Sequence, residues 1–462
     1  MTDVAERVTI AGAGPTGALL AILLRRRGYR VTVYDARPDP RRTPGESGRS
    51  INLALAARGI NALRRVGIHD ALRDAMVPMR ARMIHDRDGG TTRQPYGRRP
   101  DEAIFAISRA RLGRLLIDIA RTAHGVEFEF EHRLVDADFA AGNAHIRDLR
   151  RNETIQVPMR PLIACDGAGS QMRRSLRDAG LIDAREEDLA HGYKELSIPA
   201  GSDGGYRLER EALHIWPRGG YMLIALPNDD GSFTATLFLP NRGDPGFDTL
   251  RGREAAADFL ARNFPDALAL MPDGVREFLE HPTGFLGTVH AAPWQHRGMT
   301  VLVGDSAHAI VPFHGQGMNC CLEDCLAFDA CIDLHDDWEA RFAAFYALRK
   351  ENTEAIASMA LENYLEMRER VADPGFQLQN ALSRELERRH PGRFIPRYSM
   401  VMFHPEIPYR LAASRGLVQS RLLARLTAGA ASLGQIDFDE ARREVEAQLP
   451  PIDQALSSVM KL

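Results

Sequence analysis

A short apolar run, Val8-Thr9-Ile10-Ala11, passes directly into Gly12-Ala13-Gly14-Pro15-Thr16-Gly17, and a helical pattern from Ala18 to Arg27 follows. No other stretch restricts the fold as strongly. Glycines at that spacing let a strand turn tightly into a helix and leave the backbone bare where a pyrophosphate would approach. The helix start then offers free N–H groups and the positive end of its dipole to that phosphate. Gly28 closes the helix, and a second strand, Arg30-Val31-Thr32-Val33-Tyr34, ends at Asp35. An acid at that distance accepts hydrogen bonds from adenosine ribose hydroxyls and argues against a 2′-phosphate at the same place. The opening therefore reads as one βαβ unit of a parallel sheet that binds a dinucleotide.

The stretch from Pro38 to Asn52 is polar and turn-rich. Helix patterns then run from Ala54 to Met76 and from Arg111 to Ala123, while Met79 to His85 and Gln94 to Ser108 look extended. Val126 to Phe130 and Leu162 to Cys165 read as strands, the second stopping at Asp166-Gly167. The character changes at Glu195 to Ile198, Leu213 to Trp216, Tyr221 to Leu226 and Phe233 to Leu239, short alternating runs separated by turns such as Pro217-Arg218-Gly219-Gly220 and Asn228-Asp229-Asp230-Gly231. Strands at that spacing form an antiparallel sheet, and their alternation leaves one face for a ligand or a partner domain. Thr300 to Val303 returns to the first strand type and ends at Gly304-Asp305, and from Cys320 the chain is mainly helical.

Composition excludes several classes. The 462 residues hold 59 Lys and Arg against 62 Asp and Glu, a formal net charge of −3, so no nucleic-acid partner is expected. Arg25-Arg26-Arg27 reads as a solvated helix end. Nowhere do apolar residues continue long enough for a transmembrane helix. The apolar stretch Leu417 to Leu433 is broken by Gln419, Arg421 and Arg425 and reads as a packed helix. The first strand begins by Arg7, leaving no room for a secretory leader. The cysteines Cys165, Cys320, Cys321, Cys325 and Cys331 include no CxxC pair and no histidine at zinc-ligand spacing. They read as small half-buried residues of a reduced, cytoplasmic chain, and no metal site is expected.

One glycine run does not choose between NAD and FAD. The choice rests on Gly304-Asp305-Ser306-Ala307-His308, on Asp166-Gly167 before it, and on Pro312 and Gly315-Gln316-Gly317-Met318-Asn319 after it. Together these resemble the flavin-dependent aromatic hydroxylases. In that family the aspartate at the position of Asp305 holds the ribityl chain of FAD, and the glycine-rich run opens a helix aimed at the flavin pyrimidine ring. Reduced flavin carries negative charge there, which a helix N-terminus stabilises. Taken alone, Gly315 to Asn319 is also a simple turn. The absence of a second dinucleotide fingerprint fits NADPH visiting the flavin without a Rossmann domain of its own. The resemblance assigns Gly12, Gly14, Gly17, Asp35, Arg37, Arg109, Asp305, Gly317, Met318 and Asn319 to the cofactor.

Longer stretches resemble the kynurenine 3-monooxygenase family in particular. They are Gly48-Arg49-Ser50-Ile51-Asn52-Leu53-Ala54, Met79-Arg80-Ala81-Arg82-Met83-Ile84-His85, Gln94-Pro95-Tyr96-Gly97, His191-Gly192-Tyr193, Leu213-His214-Ile215-Trp216-Pro217, Asn363-Tyr364-Leu365-Glu366-Met367 and Phe394-Ile395-Pro396-Arg397-Tyr398. Mammalian members carry a C-terminal membrane anchor. This chain is similar to the soluble bacterial type, with no anchor, and no oligomeric state is written in its sequence.

The resemblance implies bound FAD, NADPH and O₂ as co-substrates, and hydroxylation of L-kynurenine to 3-hydroxykynurenine through a flavin C4a-hydroperoxide. It places Arg82, Tyr96, Asn363 and Tyr398 around the amino-acid carboxylate, where an arginine can clasp with two parallel hydrogen bonds. Taken alone, Arg82 also reads as a surface ion-pair residue and Tyr398 as a core aromatic. Phe313 and His314 are candidate ring-side pocket residues, His314 being structural as readily as catalytic. No catalytic side chain is assigned, because the flavin carries the chemistry. The implied fold is α/β: a Rossmann-type FAD-binding domain over residues 1–180, with interleaved substrate-pocket segments, completed over 291–370. An antiparallel β-sheet substrate domain is inserted at 181–290, and a helical C-terminal region covers 371–462. Two other readings stay open: a related flavin hydroxylase acting on a substituted kynurenine or another aromatic acid, and a flavin-binding sensor that no longer hydroxylates.

Overall fold

The computed structural model describes residues 6–42, 52–99, 101–370 and 373–459, so Gly48 to Ile51 of the family-like stretch lie outside the described residues. The apolar run at the start becomes the strand Arg7–Ala11, in the middle of a six-stranded sheet. The order across that sheet is Gln295–His296, Thr300–Leu302, Leu162–Ala164, Arg7–Ala11, Arg30–Asp35 and Glu127–Phe130. Every neighbouring pair is parallel except the hairpin of Gln295–His296 with Thr300–Leu302. Helices Pro15–Arg26, Arg109–Thr122 and Gly317–Leu334 belong to the same core, in which Ile10, Val33, Ile163 and Val301 pack with Leu20, Leu116 and Leu322. Strands covered on both faces read as continuous apolar runs, which is why they were visible in the sequence. The parallel strands end together. Gly12, Asp35, Asp166 and Asp305 all follow or finish a strand at the same edge, where open α/β sheets bind their ligands.

Between Phe130 and Leu162 the chain forms a three-stranded antiparallel meander, His132–Asp138, Asn143–Asp148 and Glu153–Pro158. A second, seven-stranded sheet runs in the order Gly284–Ala292, Asp183–Ile198, Phe233–Pro240, Met222–Pro227, Ala212–Pro217, Ala81–His85, Thr91–Pro95. It is antiparallel except where Ala212–Pro217 lies parallel to Ala81–His85, with Leu213 opposite Arg82. The sheet therefore draws two strands from well before residue 181. Its period-2 pattern separates two faces. Leu223, Ala225, Ala235 and Leu237 pack with Phe259 and Phe278 of the helices Arg253–Asn263 and Gly274–Glu280. Ile224, Leu226, Thr236 and Phe238 point the other way, into a cavity.

Two local expectations need correction. The helix pattern from Ala54 to Met76 is instead a strand Asn52–Leu55, a helix Ala57–Arg65 and a 3-10 turn His69–Ala75. Pairing of Asn52–Leu55 with Phe105–Ser108 overrides helical propensity at the start, and Gly67, at φ +71°, breaks the helix further on. The extended stretch from Met79 to His85 is divided at Arg80, where the chain leaves a small sheet (Asn52–Leu55, Ile104–Ser108, Val77–Met79) and enters the large one.

The C-terminal third is helical. Trp338–Leu365 starts at Asp337, whose carboxylate accepts the backbone N–H of Ala340 at 2.9 Å. Helices Arg397–Phe403 and Tyr409–Leu426 follow, the latter ending before the Leu433 suggested by the sequence. Among the described residues no helix is long and apolar enough to cross a membrane. All five cysteines are free and buried.

Candidate functional site

The ends of the parallel strands open into a cavity of about 770 Å³ that continues along the apolar face of the large sheet. The glycines divide their work. Gly12 has φ +101°, and a Cβ there would collide with the Cys165 carbonyl; a Cβ at Gly17 would collide with the Gly12 carbonyl. A Cβ at Gly14 would meet nothing within 4 Å. Gly12 and Gly14 line the cavity, whereas among the described residues Gly17 is not in its lining and serves close packing of helix on strand. The helix behind this turn begins with Pro15 and has no side-chain cap, so its first N–H groups are available to a ligand.

Asp35 is buried at the cavity edge. Its carboxylate accepts the Ala13 backbone N–H at 2.7 Å and is gripped by Arg37 through Nε at 2.9 Å and Nη2 at 2.7 Å. Burial raises the carboxyl pKa, but the hydrogen bonds and charge of Arg37 outweigh it and hold the group below its ordinary value. Asp166 turns one oxygen to the N–H groups of Gln171 (2.7 Å) and Met172 (3.2 Å), leaving Oδ1 buried without a partner. Asp305 starts the short helix Asp305–His308 and accepts the Cys321 thiol at 3.4 Å. Arg109, Gly317 and Met318 line the same space, as do Cys165, Cys321 and Met402, which carried no sequence signal.

The helix Gly317–Leu334 points its uncapped N-terminus at the cavity. Gln316 ahead of it is fully buried and accepts the Tyr409 hydroxyl at 2.8 Å. Among the described residues Asn319 is not part of the lining. It staples the turn instead, donating to the carbonyls of Ala54 and Gly315 and accepting the Ala56 N–H, each at 2.8 Å.

At the other end of the cavity Arg82, Tyr96 and Tyr398 meet. The Arg82 guanidinium lies 4.8 Å from the Tyr398 ring centre and 5.6 Å from that of Tyr96. Tyr398 is sandwiched, with Tyr96 stacked at 5.5 Å and His314 at 5.4 Å. Arg82 Nε and His314 Nδ1 are buried with no hydrogen-bond partner, a costly arrangement unless a ligand completes it, while the rest of the Arg82 guanidinium and the Tyr96 and Tyr398 hydroxyls interact with one another. Burial works against the Arg82 charge, but Tyr398, Tyr96 and Glu366 outweigh it and keep the guanidinium cationic. Burial pushes the Tyr96 phenol well up, so it is a neutral donor. Burial pushes His314 down to about 3, helped by Arg397 and Arg82, so its imidazole is neutral.

Phe313 stacks on Tyr364 at 3.9 Å and meets Phe238 at 4.9 Å. Asn363 is not in the lining among the described residues: it donates to the Phe313 carbonyl at 2.7 Å from behind the wall. The cavity thus joins a phosphate-compatible turn at one end to a buried cluster of Arg82, Tyr96, Tyr398 and His314 at the other. Leu213, Ile224, Leu226 and Phe238 lie between them on the large sheet. Such a space suits a dinucleotide beside a small anionic ligand with an apolar body.

Residues 5–188 match the family described as FAD binding domain. A protein named kynurenine 3-monooxygenase from Xanthomonas axonopodis pv. citri (strain 306) is 49% identical over 456 residues, covering 98% of this chain and 100% of that protein. One of the same name from Stenotrophomonas maltophilia (strain K279a) is 49% identical over 448 residues, covering 97% and 98%. Among solved structures, the tetrameric form of 2-methyl-3-hydroxypyridine-5-carboxylic acid oxygenase aligns with a TM-score of 0.64, covering 83% of this chain and 98% of that one. At 18% identity that likeness speaks for the fold alone.

Proposed function

The chain belongs to the kynurenine 3-monooxygenase family, and from this we infer that it is an FAD-dependent monooxygenase that uses NADPH and O₂ to hydroxylate L-kynurenine at ring position 3. The observation that carries the reading is a buried arginine with an unpartnered Nε, Arg82, set beside the Tyr96 and Tyr398 hydroxyls in the same cavity as Gly14 and Asp305.

The residues present fit FAD. The open backbone at Gly14 and the N-terminus of Pro15–Arg26 would hold the pyrophosphate, with Asp35 and Arg37 on the adenosine side. Asp305 would hold the ribityl chain, and the helix start at Gly317-Met318, with Arg109, would face the ring system. Bound there, FAD supplies electron transfer from NADPH to O₂ and delivery of one oxygen atom to the aromatic ring, the other leaving as water.

The side chains do the rest. Arg82, Tyr96 and Tyr398 bind the α-carboxylate, each charge-assisted hydrogen bond contributing about 1.5–3 kcal/mol. That anchor turns the aniline ring along the apolar wall toward the flavin end. The wall of Ile224, Leu226, Phe238 and Phe313 keeps water from the reacting carbon. The aniline nitrogen donates electron density to the carbon beside it, so no strong protein base is needed, in keeping with a neutral His314. Asn363 supports Phe313, and Asn319 supports the turn before Gly317. Residues 1–180 and 291–370 would form the FAD-binding unit, which lends Ala81–His85 and Thr91–Pro95 to the substrate sheet built mainly by 181–290, with 371–462 as the helical cover.

The test is product analysis after incubating the FAD-loaded protein with NADPH, air and L-kynurenine. The expected result is a product one oxygen heavier that matches 3-hydroxykynurenine, with NADPH consumed in proportion. A protein that takes up no FAD, or oxidises NADPH and leaves kynurenine unchanged, overturns the reading. Faster turnover of another aromatic acid in a small panel would reassign the substrate within the same chemistry.

A further inference from the structure

Asp324 is fully buried in the helix Gly317–Leu334, two turns beyond its cavity-facing start. One carboxylate oxygen accepts His308 Nε2 at 2.6 Å, and the other accepts Arg349 Nε at 2.6 Å. Burial alone would raise its pKa, but His308 and Arg349 outweigh that and keep the carboxylate ionised. His308 ends the short helix that Asp305 begins. Arg349, on Trp338–Leu365, also reaches Glu323 at 2.8 Å, and Glu323 in turn pairs with the buried Arg58 at 2.5 Å. Cys320 lies close enough to His308 and Asp324 to suggest a metal. A guanidinium at hydrogen-bond distance from the same carboxylate, with the other oxygen held by His308, makes this an ion-pair network instead.

The two segments assigned above to the flavin, Asp305 and the helix start at Gly317-Met318, belong to different helices linked by the segment 309–316. Side chains tie the two helices together: His308 on Asp324, and the thiol of Cys321 on Asp305. A buried carboxylate held by a guanidinium contributes little net stability, because desolvation offsets its Coulomb gain, but losing a partner leaves an uncompensated buried charge, so Asp324 keeps Arg349 and His308 in place. We propose that Asp324 is a positioning residue for FAD, setting the distance between Asp305 and the helix N-terminus through His308. The proposal rests on the flavin reading given above and deepens it.

The test compares FAD affinity of Asp324→Asn and wild type, measured by fluorescence titration of protein stripped of flavin and shown folded by circular dichroism. FAD binding is expected to weaken at least tenfold in Asp324→Asn. The absorbance of the flavin that does bind should move toward that of free FAD, with the KM for L-kynurenine unchanged at saturating FAD. Glu277→Gln is the control. Its carboxylate is also buried and accepts the Ser197 N–H at 2.7 Å, but it lies on the far face of the large sheet. It should lose stability and keep its FAD affinity. Equal FAD affinity in Asp324→Asn and wild type overturns the proposal while leaving the flavin reading intact; a wild type that binds no FAD overturns both. Should Asp324→Asn not fold, His308→Asn decides: it must show the same FAD loss in folded protein, and wild-type affinity there overturns the proposal.

Discussion

The guanidinium of Arg82 lies over the ring of Tyr398 at 4.8 Å, although one comes from a strand near the start of the chain and the other from a helix near its end. The pair closes the donor end of the cavity and leaves Arg82 Nε without a hydrogen-bond partner. A carboxylate placed there meets a cation already stripped of water and held in place by aromatic rings, so little ordering remains to be done on binding.

Arg82→Ala is therefore expected to weaken L-kynurenine binding by about 1.5–3 kcal/mol, the range for a charged hydrogen bond. Arg82→Lys should recover only part of this, since an ammonium cannot make the paired contacts of a guanidinium. Titration of flavin fluorescence with substrate measures both. Unchanged affinity in Arg82→Ala removes the residue from the pocket.

The first two glycines of the nucleotide turn should separate by phenotype. Gly12→Ala places a Cβ against the Cys165 carbonyl at a positive φ and is expected to cost about 3 kcal/mol of stability. Gly14→Ala meets open space and should leave folding within about 0.5 kcal/mol of wild type. Its methyl group enters the phosphate end of the cavity, so FAD affinity should drop at least tenfold by order of magnitude. Thermal melts of flavin-free protein together with FAD titrations check the pair, and a destabilised Gly14→Ala that binds FAD normally would contradict it.

His314 makes the fold sensitive to acid. Its ordinary pKa of 6.5 falls to about 3 on folding. Between those values the unfolded chain takes up a proton that the native chain refuses. Stability is thus complete above the upper value and is lost as pH falls through the window. The loss from this residue between about pH 8 and pH 5 should be about 2 kcal/mol. Urea unfolding of wild type and His314→Gln at the two pH values tests this. Equal acid sensitivity in the two proteins would show that His314 is not the source.

Asn363 should behave differently from Arg82. Asn363→Ala leaves the buried Phe313 carbonyl without its donor, at a cost of about 1–3 kcal/mol of stability. Because Asn363 stands behind the wall, substrate affinity should change less than in Arg82→Ala. A kinetic comparison with melting curves distinguishes the two roles; a large rise in kynurenine Kd at unchanged stability would put Asn363 in direct contact with substrate.

Much of the candidate site was legible because its signals are local. Gly12 to Gly17 and Asp35 lie within one strand–helix–strand unit, and both their residue types and their spacing follow from backbone geometry. Arg82, Tyr96 and Tyr398 were legible only through family-like stretches, since nothing in their own neighbourhood brings a strand at residue 82 against a helix at residue 398. Three features gave no sequence signal at all. In the meander from His132 to Pro158 only the strand Glu153–Pro158 is exposed along most of its length, while the other two turn just Leu134, Ala137, Ala144 and Ile146 to the core, so the apolar period is weak. The strand Asn52–Leu55 exists because of a partner at Phe105–Ser108, against its own helical pattern. The roles of Asn319 and Asn363, polar residues that hold backbone carbonyls from behind the lining, depend on which carbonyls tertiary packing brings to them.

The order of strands in the parallel sheet also bears on how the chain is made. Leu162–Ala164 must wait for Thr300–Leu302 before its second edge is covered, and Leu322 and Phe328 join that core later still. A nascent chain leaving the ribosome from its N-terminus therefore carries an unfinished nucleotide fold through the synthesis of the entire inserted module. For that interval an apolar strand edge stays unpaired, and a chain cut short before Thr300 would never cover it.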